Sequence, residues 1–185
     1  MIWIVHHGFF IAYNNTIMRS GILDGVSRAK EAYGDLKIMV TGHSMGGAMA
    51  AFCGLDLALI YRSKNIQFTT FGMPRIGNAA FASYYSQAVP NTFRVTHGHD
   101  LVPHLPSYYH HFPQKKYHHF PTEALLECLR AGGGRVSAHL GEPRGWWQSS
   151  SRPWPQRLVS QWLARRSLPF KKEAKLLIAI ALLKG

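Results

Sequence analysis

The sequence predicts an α/β fold built on a mainly parallel sheet. Short segments rich in β-branched or aromatic residues occur at 37–41, 67–71 and 92–96. Longer stretches with helical composition separate them, at 45–61 and 79–87. Strands that alternate with helices favour a parallel sheet covered by helices, because each helix carries the chain back across the sheet.

The N-terminal segment is expected to be mostly helical. Residues 9–33 place apolar side chains near one helical face, while Gly21 and Gly25 are expected to weaken or kink the helix. Residues 1–5 are apolar and fit an edge strand, and they lack the basic and long apolar regions of a signal peptide.

The turn between the first predicted strand and the next helix matches G-x-S-x-G. In this motif, called the nucleophile elbow, a strained turn exposes a serine hydroxyl at the carboxyl end of a sheet. Ser44 is therefore the candidate nucleophile, flanked by Gly42 and Gly46, where side chains would collide with the neighbouring backbone. The backbone N–H of Met45, at the start of the helix, is the expected donor to a developing oxyanion.

A carboxylate follows the third predicted strand. Asp100 lies just past residues 92–96, where α/β sheets place their functional groups. The His- and Tyr-rich segment 108–120 lacks the ligand spacing typical of tetrahedral zinc sites. We therefore expect no metal site and no cofactor.

Composition separates the chain into two parts. The sequence has 185 residues, 46% hydrophobic and 16% charged, as is typical of a globular domain. Residues 1–120 carry ten Lys/Arg and five Asp/Glu, whereas residues 121–185 carry eleven and four. We expect a domain at 1–123 and a divergent, poorly ordered basic tail at 124–185, with short helices at 155–166 and 171–183. The tail fits a solvated surface better than a nucleic-acid site, and two cysteines, Cys53 and Cys128, predict no disulfide framework.

Five sequence blocks resemble class 3, fungal-lipase-like lipases, most closely the plant members. They span residues 5–123 in the family's order: VHHGF at 5–9, VTGHSMGG at 40–47, TFGMPRIGN at 70–78, RVTHGHDLVPHLP at 94–106 and YHHFP at 117–121. The resemblance implies an α/β-hydrolase fold and hydrolysis of lipid esters at lipid surfaces. It implies Ser44 as nucleophile, Asp100 as acid and His139 as base.

The sequence departs from the family at two places. The family's upstream oxyanion loop and lid have no counterpart in this sequence, so the second oxyanion donor has no candidate. His139, in VSAHL at 136–140, shares only the His-Leu pair with the family's catalytic setting, and a loop histidine is the alternative. We therefore expect weak turnover from this chain alone.

Two other functions remain open on the sequence. The first is a hydrolase-like fragment without turnover that binds lipid or a partner. The second is a basic surface-binding protein that uses Arg and Trp of the tail, for which binding to anionic vesicles would depend steeply on salt. The sequence indicates no compartment.

Overall fold

The computed structural model describes residues 2–61, 63–98, 100–107, 116–121, 123–127, 135–139 and 175–180. The helices are α1 (His7–Asn14), α2 (Ile17–Tyr33), α3 (Met45–Ile60) and α4 (Ala79–Ala88), with 3₁₀ turns at Ser63–Asn65 and Val102–His104. The strands are β1 (Lys37–His43), β2 (Ile66–Phe71), β3 (Gly77–Asn78), β4 (Thr92–His97), β5 (Tyr117–His118), β6 (Glu123–Glu127), β7 (Arg135–His139) and β8 (Lys175–Ile180).

A six-stranded sheet runs in the order β7-β6-β4-β2-β1-β8. All its neighbours pair in parallel except β6 and β7, which pair antiparallel. The predicted strands at 37–41, 67–71 and 92–96 are therefore confirmed as adjacent and parallel, as β1, β2 and β4. Their carboxyl ends meet at one edge of the sheet, which we call the carboxyl edge.

Helix α3 crosses the sheet and is buried over most of its length. Its sequence is apolar on nearly every side, which accounts for its burial. Cys53 lies fully buried within it as a free thiol. In the part of the chain that the structure describes, no helix has the length and apolar character needed to cross a membrane.

A break at Asn15 and Thr16 divides the predicted N-terminal helix. A weak point was expected at Gly21 or Gly25, and that expectation was wrong, because α2 runs continuously through both. Thr16 is extended, with φ −116° and ψ 166°, and its side chain accepts a hydrogen bond from the backbone N–H of Met18. The break is thus the N-cap of α2, a position at which Thr is a preferred residue. Gly21 and Gly25 lie inside α2 and do not interrupt it.

A small second sheet joins the N-terminal segment to the body of the protein. Strands β3 and β5 pair antiparallel, and Val5 makes an isolated bridge to Gly77. The Asn78 side chain accepts from the backbone N–H of Ile4 and donates to the carbonyl of Ile2. The expected edge strand at 1–5 is therefore reduced to a short extended segment.

Two strands, β7 and β8, and all of β6 except Glu123 lie within residues 124–185, where a divergent tail was expected. Strands β6, β7 and β8 lie in the main sheet, and β8 pairs along β1 from Lys37 with Lys175 to Gly42 with Ile180. The helix expected at 171–183 is a strand at Lys175–Ile180, because its apolar run meets the open edge of β1. The helix expected at 155–166 lies outside the described residues, and the division of the chain after residue 123 stays a prediction.

Candidate active site

The nucleophile elbow is formed at the carboxyl end of β1. β1 ends at His43 and α3 begins at Met45, so Ser44 occupies the turn alone. Ser44 has φ 53° and ψ −128°, and it is the one non-glycine residue with positive φ among those described. Such a conformation costs on the order of 1–3 kcal/mol, and residues held in it cluster at functional sites. The backbone N–H of Ser44 donates to the carbonyl of Phe71 at 2.9 Å, which fixes the turn to β2.

Close backbone approach explains the glycine that precedes the elbow. A Cβ at Gly42 would lie 2.6 Å from the carbonyl carbon of Gly46 and 2.7 Å from the nitrogen of Gly47. At Gly47, a Cβ would contact the Met73 side chain at 3.1 Å. The end of β1 and the start of α3 therefore pack backbone to backbone.

The start of α3 provides a donor beside Ser44. Its first N–H groups have no acceptor within the helix, and the helix dipole makes this end electropositive. The N–H groups of Gly47 and Ala48 both donate to the carbonyl of Ser44. Met45 contributes the first N–H of the helix, the expected position of an oxyanion donor.

Asp100 lies at the same edge of the sheet. It follows β4, two strands from β1, so the spacing between strands accounts for about 10 Å. The N–H of Asp100 donates to the carbonyl of His97 at 3.0 Å, and Oδ1 of Asp100 accepts from the N–H of Val102 at 2.9 Å. These two bonds fold the chain back just after β4 and hold the carboxylate at the carboxyl edge.

Two side chains absent from the sequence-based site contact the segment that follows Asp100. Nη1 of Arg75 donates to the carbonyls of His104 and Pro106, at 2.6 and 3.1 Å, and the backbone N–H of Arg75 donates to the carbonyl of Leu105. Nε2 of His119 lies 2.6 Å from the carbonyl of Pro103. Both residues fall within the sequence blocks quoted above, but the pattern gives no indication of these contacts.

His43 is the last residue of β1 and directly precedes the elbow serine. Burial lowers the pKa of the His43 imidazole, and the charge of the Asp100 carboxylate partly opposes that change. His43 had no role of its own in the site predicted from the sequence.

His139 is not brought beside Ser44. His139 pairs with Glu123 of β6. From Glu123 the register continues through Arg94 of β4 and Thr70 of β2 to Gly42 of β1, so His139 lies four strands from β1. At the usual spacing, four strands correspond to about 19 Å. Since β7 runs antiparallel to β6, the chain at His139 also runs away from the carboxyl edge. Among the three residues assigned as a triad, the structure thus brings Ser44 and Asp100 to one edge and leaves His139 apart.

Three apolar side chains close in sequence to Ser44 and Asp100 are exposed. Met45 is 43% exposed, Leu101 is 50% exposed and Leu105 is 48% exposed. Met45 directly follows the elbow serine, and Leu101 directly follows Asp100. An exposed apolar side chain therefore directly follows each of the two polar residues in the sequence.

Comparison with known proteins gives a family match that covers more than half of the chain. The family model described as Lipase (class 3) matches residues 3–110. A lipase of Caenorhabditis elegans is 42% identical over 101 residues, covering 50% of this chain and 28% of the relative. A secreted mono- and diacylglycerol lipase of Fusarium solani is 41% identical over 105 residues, covering 55% of this chain and 29% of the relative.

Solved lipase structures share the fold. A triacylglycerol lipase whose catalytic centre is a serine-protease triad superposes with a TM-score of 0.60 at 34% identity, covering 68% of this chain and 46% of that one. The triacylglyceride lipase of Rhizomucor miehei gives 0.59 at 32% identity, covering 66% and 45%. The chain has the α/β-hydrolase fold, and it spans less than half the length of these structures and less than a third of the curated relatives.

Proposed function

Because the chain belongs to the class 3 lipase family, we propose that it is a serine hydrolase of carboxylic esters of lipids. The observation that carries the proposal is the positive-φ Ser44 at the junction of β1 and α3. A serine in this turn presents its hydroxyl to a substrate at the carboxyl edge. Among the described residues Ser44 is the one non-glycine residue with positive φ, and residues strained in this way cluster at functional sites.

The proposed chemistry has two steps. Oγ of Ser44 attacks the ester carbonyl carbon, its proton passes to a histidine base, and the alcohol leaves with that proton. Water then attacks the acyl-serine and releases the fatty acid. The N–H of Met45 stabilises the oxyanion in both steps, and Asp100 orients the base and stabilises its charged form. No metal or cofactor takes part in these steps.

Apolar surroundings support a lipid ester as substrate. Met45 follows Ser44 and Leu101 follows Asp100, and both expose apolar side chains that an acyl chain can cover. The same side chains can contact a lipid surface, and we propose such peripheral contact. A relative from Fusarium solani is named a mono- and diacylglycerol lipase, which favours acylglycerols.

Hydrolysis assays on the purified chain test the proposal. We would measure fatty acid release from dispersed diacylglycerol and release of nitrophenol from a short-chain nitrophenyl ester. Ser44→Ala should reduce both to the uncatalysed rate. Ser20→Ala is the matched control, because Ser20 is exposed on α2 and away from the carboxyl edge, and it should retain the parent rate.

Turnover is expected to be slow in this chain. The described residues supply one oxyanion donor, Met45, and loss of a single donor costs about 10²–10³ in rate. Equal rates for Ser44→Ala and the parent chain would contradict the proposal. Saturable binding to vesicles together with such equal rates would instead favour a lipid-binding protein without turnover.

A further inference from the structure

The segment that follows Asp100 is held by its main-chain carbonyls. Four successive carbonyls, from Pro103 to Pro106, each face a donor from elsewhere in the chain. Three of these donors belong to Arg75, in the connection between β2 and β3, and the fourth belongs to His119, after β5. Segments far apart in sequence thus converge on one short loop.

Arg75 is suited to this role by its geometry. It is 6% exposed, and its planar head places Nη1 between the carbonyls of His104 and Pro106 while its own backbone N–H reaches Leu105. Hydrogen bonds from a charged donor contribute more than neutral ones. A lysine retains the charge but presents it as a point without the fixed fork of a guanidinium.

His119 complements Arg75 from the other side of the loop. A carbonyl can only accept, so Nε2 of His119 carries the proton in the 2.6 Å contact with Pro103. Its Nδ1 atom is shut off from solvent and has no hydrogen-bond partner among the described residues. Burial holds the pKa of His119 well below its usual range, and the Arg94 charge adds to that effect. The imidazole is therefore a neutral, fixed donor.

We propose that Arg75 and His119 are positioning residues that fix the Asp100 carboxylate by holding the carbonyls of Pro103 to Pro106. Asp100 is three residues before Pro103, and its Oδ1 already closes a turn on the N–H of Val102. Movement of the segment after Val102 therefore moves the carboxylate that orients the base. The inference rests on the proposed function, since it concerns the acid of that site.

The first test is the rate at which a fluorophosphonate labels Ser44, measured against pH. Labelling requires a neutral base, and a well-placed carboxylate raises the pKa of that base. Arg75→Met should slow labelling by about ten- to a hundredfold. It should also lower, by about one pH unit, the midpoint at which the labelling rate rises between acid and neutral pH. Arg75→Lys should produce a smaller change in the same direction, and it carries the test if Arg75→Met does not fold.

Tyr13→Phe is the control for a purely structural effect. Tyr13 is buried and donates to Asp56 in the helical layer, so its loss lowers stability without touching the loop. It should leave the midpoint of the profile unchanged. An Arg75 variant that lowers the melting temperature but keeps the parent midpoint and labelling rate would overturn the inference.

The second test is independent of catalysis. Exchange of the Val102 amide hydrogen reports the turn that Asp100 Oδ1 closes, and Arg75→Met should speed that exchange about tenfold relative to Tyr13→Phe. If the parent chain does not label at Ser44, the proposed function fails, and this measurement alone decides the inference. Unchanged exchange at Val102 would overturn it; faster exchange would support it.

Discussion

The Cα of Gly42 lies against the carbonyl group of Gly46, so closely that a Cβ at Gly42 would overlap it. The same Cβ would lie 2.7 Å from the nitrogen of Gly47. Both neighbours are backbone atoms of α3 and cannot rotate away as a side chain would. The elbow that presents Ser44 therefore depends on a missing side chain two residues before it.

Gly42→Ala should open the elbow. We expect a loss of at least about 2 kcal/mol in the free energy of unfolding, because overpacking against backbone forces a shift of the strand or the helix. Gly25→Ala is the matched control, since a Cβ there meets nothing within 4 Å in α2 and should raise stability by up to about 1 kcal/mol. Denaturant unfolding of both variants measures the difference, and equal stabilities would refute the packing described for the elbow.

His119→Gln should reduce the sensitivity of stability to acid. Burial, with the nearby charges of Arg94, Arg75 and His104, lowers the pKa of His119 below 6.5, although the carbonyl of Pro103 favours the charged form. Below pH 6.5 the unfolded chain therefore binds a proton that the folded chain does not. Stability is full above that pH and falls below it, by at most about 1.4 kcal/mol per pH unit for this one group.

Glutamine retains a donor toward Pro103 and does not titrate. Unfolding measured at pH 7 and pH 5 should show a smaller loss for His119→Gln than for the parent chain, while all other groups titrate alike in both. An identical loss in the two proteins would mean that His119 is not held neutral in the folded state.

His139→Ala should leave the labelling of Ser44 unchanged within about threefold. The register across the sheet puts His139 four strands, or about 19 Å, from β1. A histidine must lie within hydrogen-bond reach of the serine hydroxyl to act as its base. Loss of labelling in His139→Ala, with melting behaviour intact, would identify His139 as the base and contradict this placement.

Ile178→Ala should destabilise the fold by about 1–2 kcal/mol. Ile178 lies in β8 and packs, partly buried, against the main hydrophobic core. Ile17→Ala removes the same atoms from a side chain that is 89% exposed at the start of α2, and should be nearly neutral. Equal effects of the two substitutions would indicate that β8 does not contribute to the core.

The elements near Ser44 were predictable because their signals are local. A strand, a tight turn and an apolar helix follow one another within residues 37–60, and the glycines at 42 and 46 belong to the same motif. The strands at 67–71 and 92–96 are short segments rich in β-branched and aromatic residues. Their adjacency in the sheet follows the tendency of consecutive elements to be neighbours in space.

The remaining features depend on partners that are distant in sequence. The short apolar run at Lys175–Ile180 is compatible by periodicity with a helix or a strand. It forms a strand because it pairs with the open edge of β1, more than a hundred residues earlier in the chain. Arg75 and His119 act through main-chain carbonyls, which carry no sequence signal. Thr16 is an exception, because a Thr at a helix start is a local signal for an N-cap.

Mass spectrometry of the chain after treatment with a fluorophosphonate tests the central claim most directly. A fluorophosphonate transfers its phosphonyl group to an activated serine and releases fluoride, so the adduct reports nucleophile activation without requiring turnover. The account predicts one adduct, located by peptide mapping at Ser44, absent from Ser44→Ala and formed more slowly in Asp100→Asn. An unlabelled Ser44, or equal labelling of the Ser44→Ala chain, would contradict it.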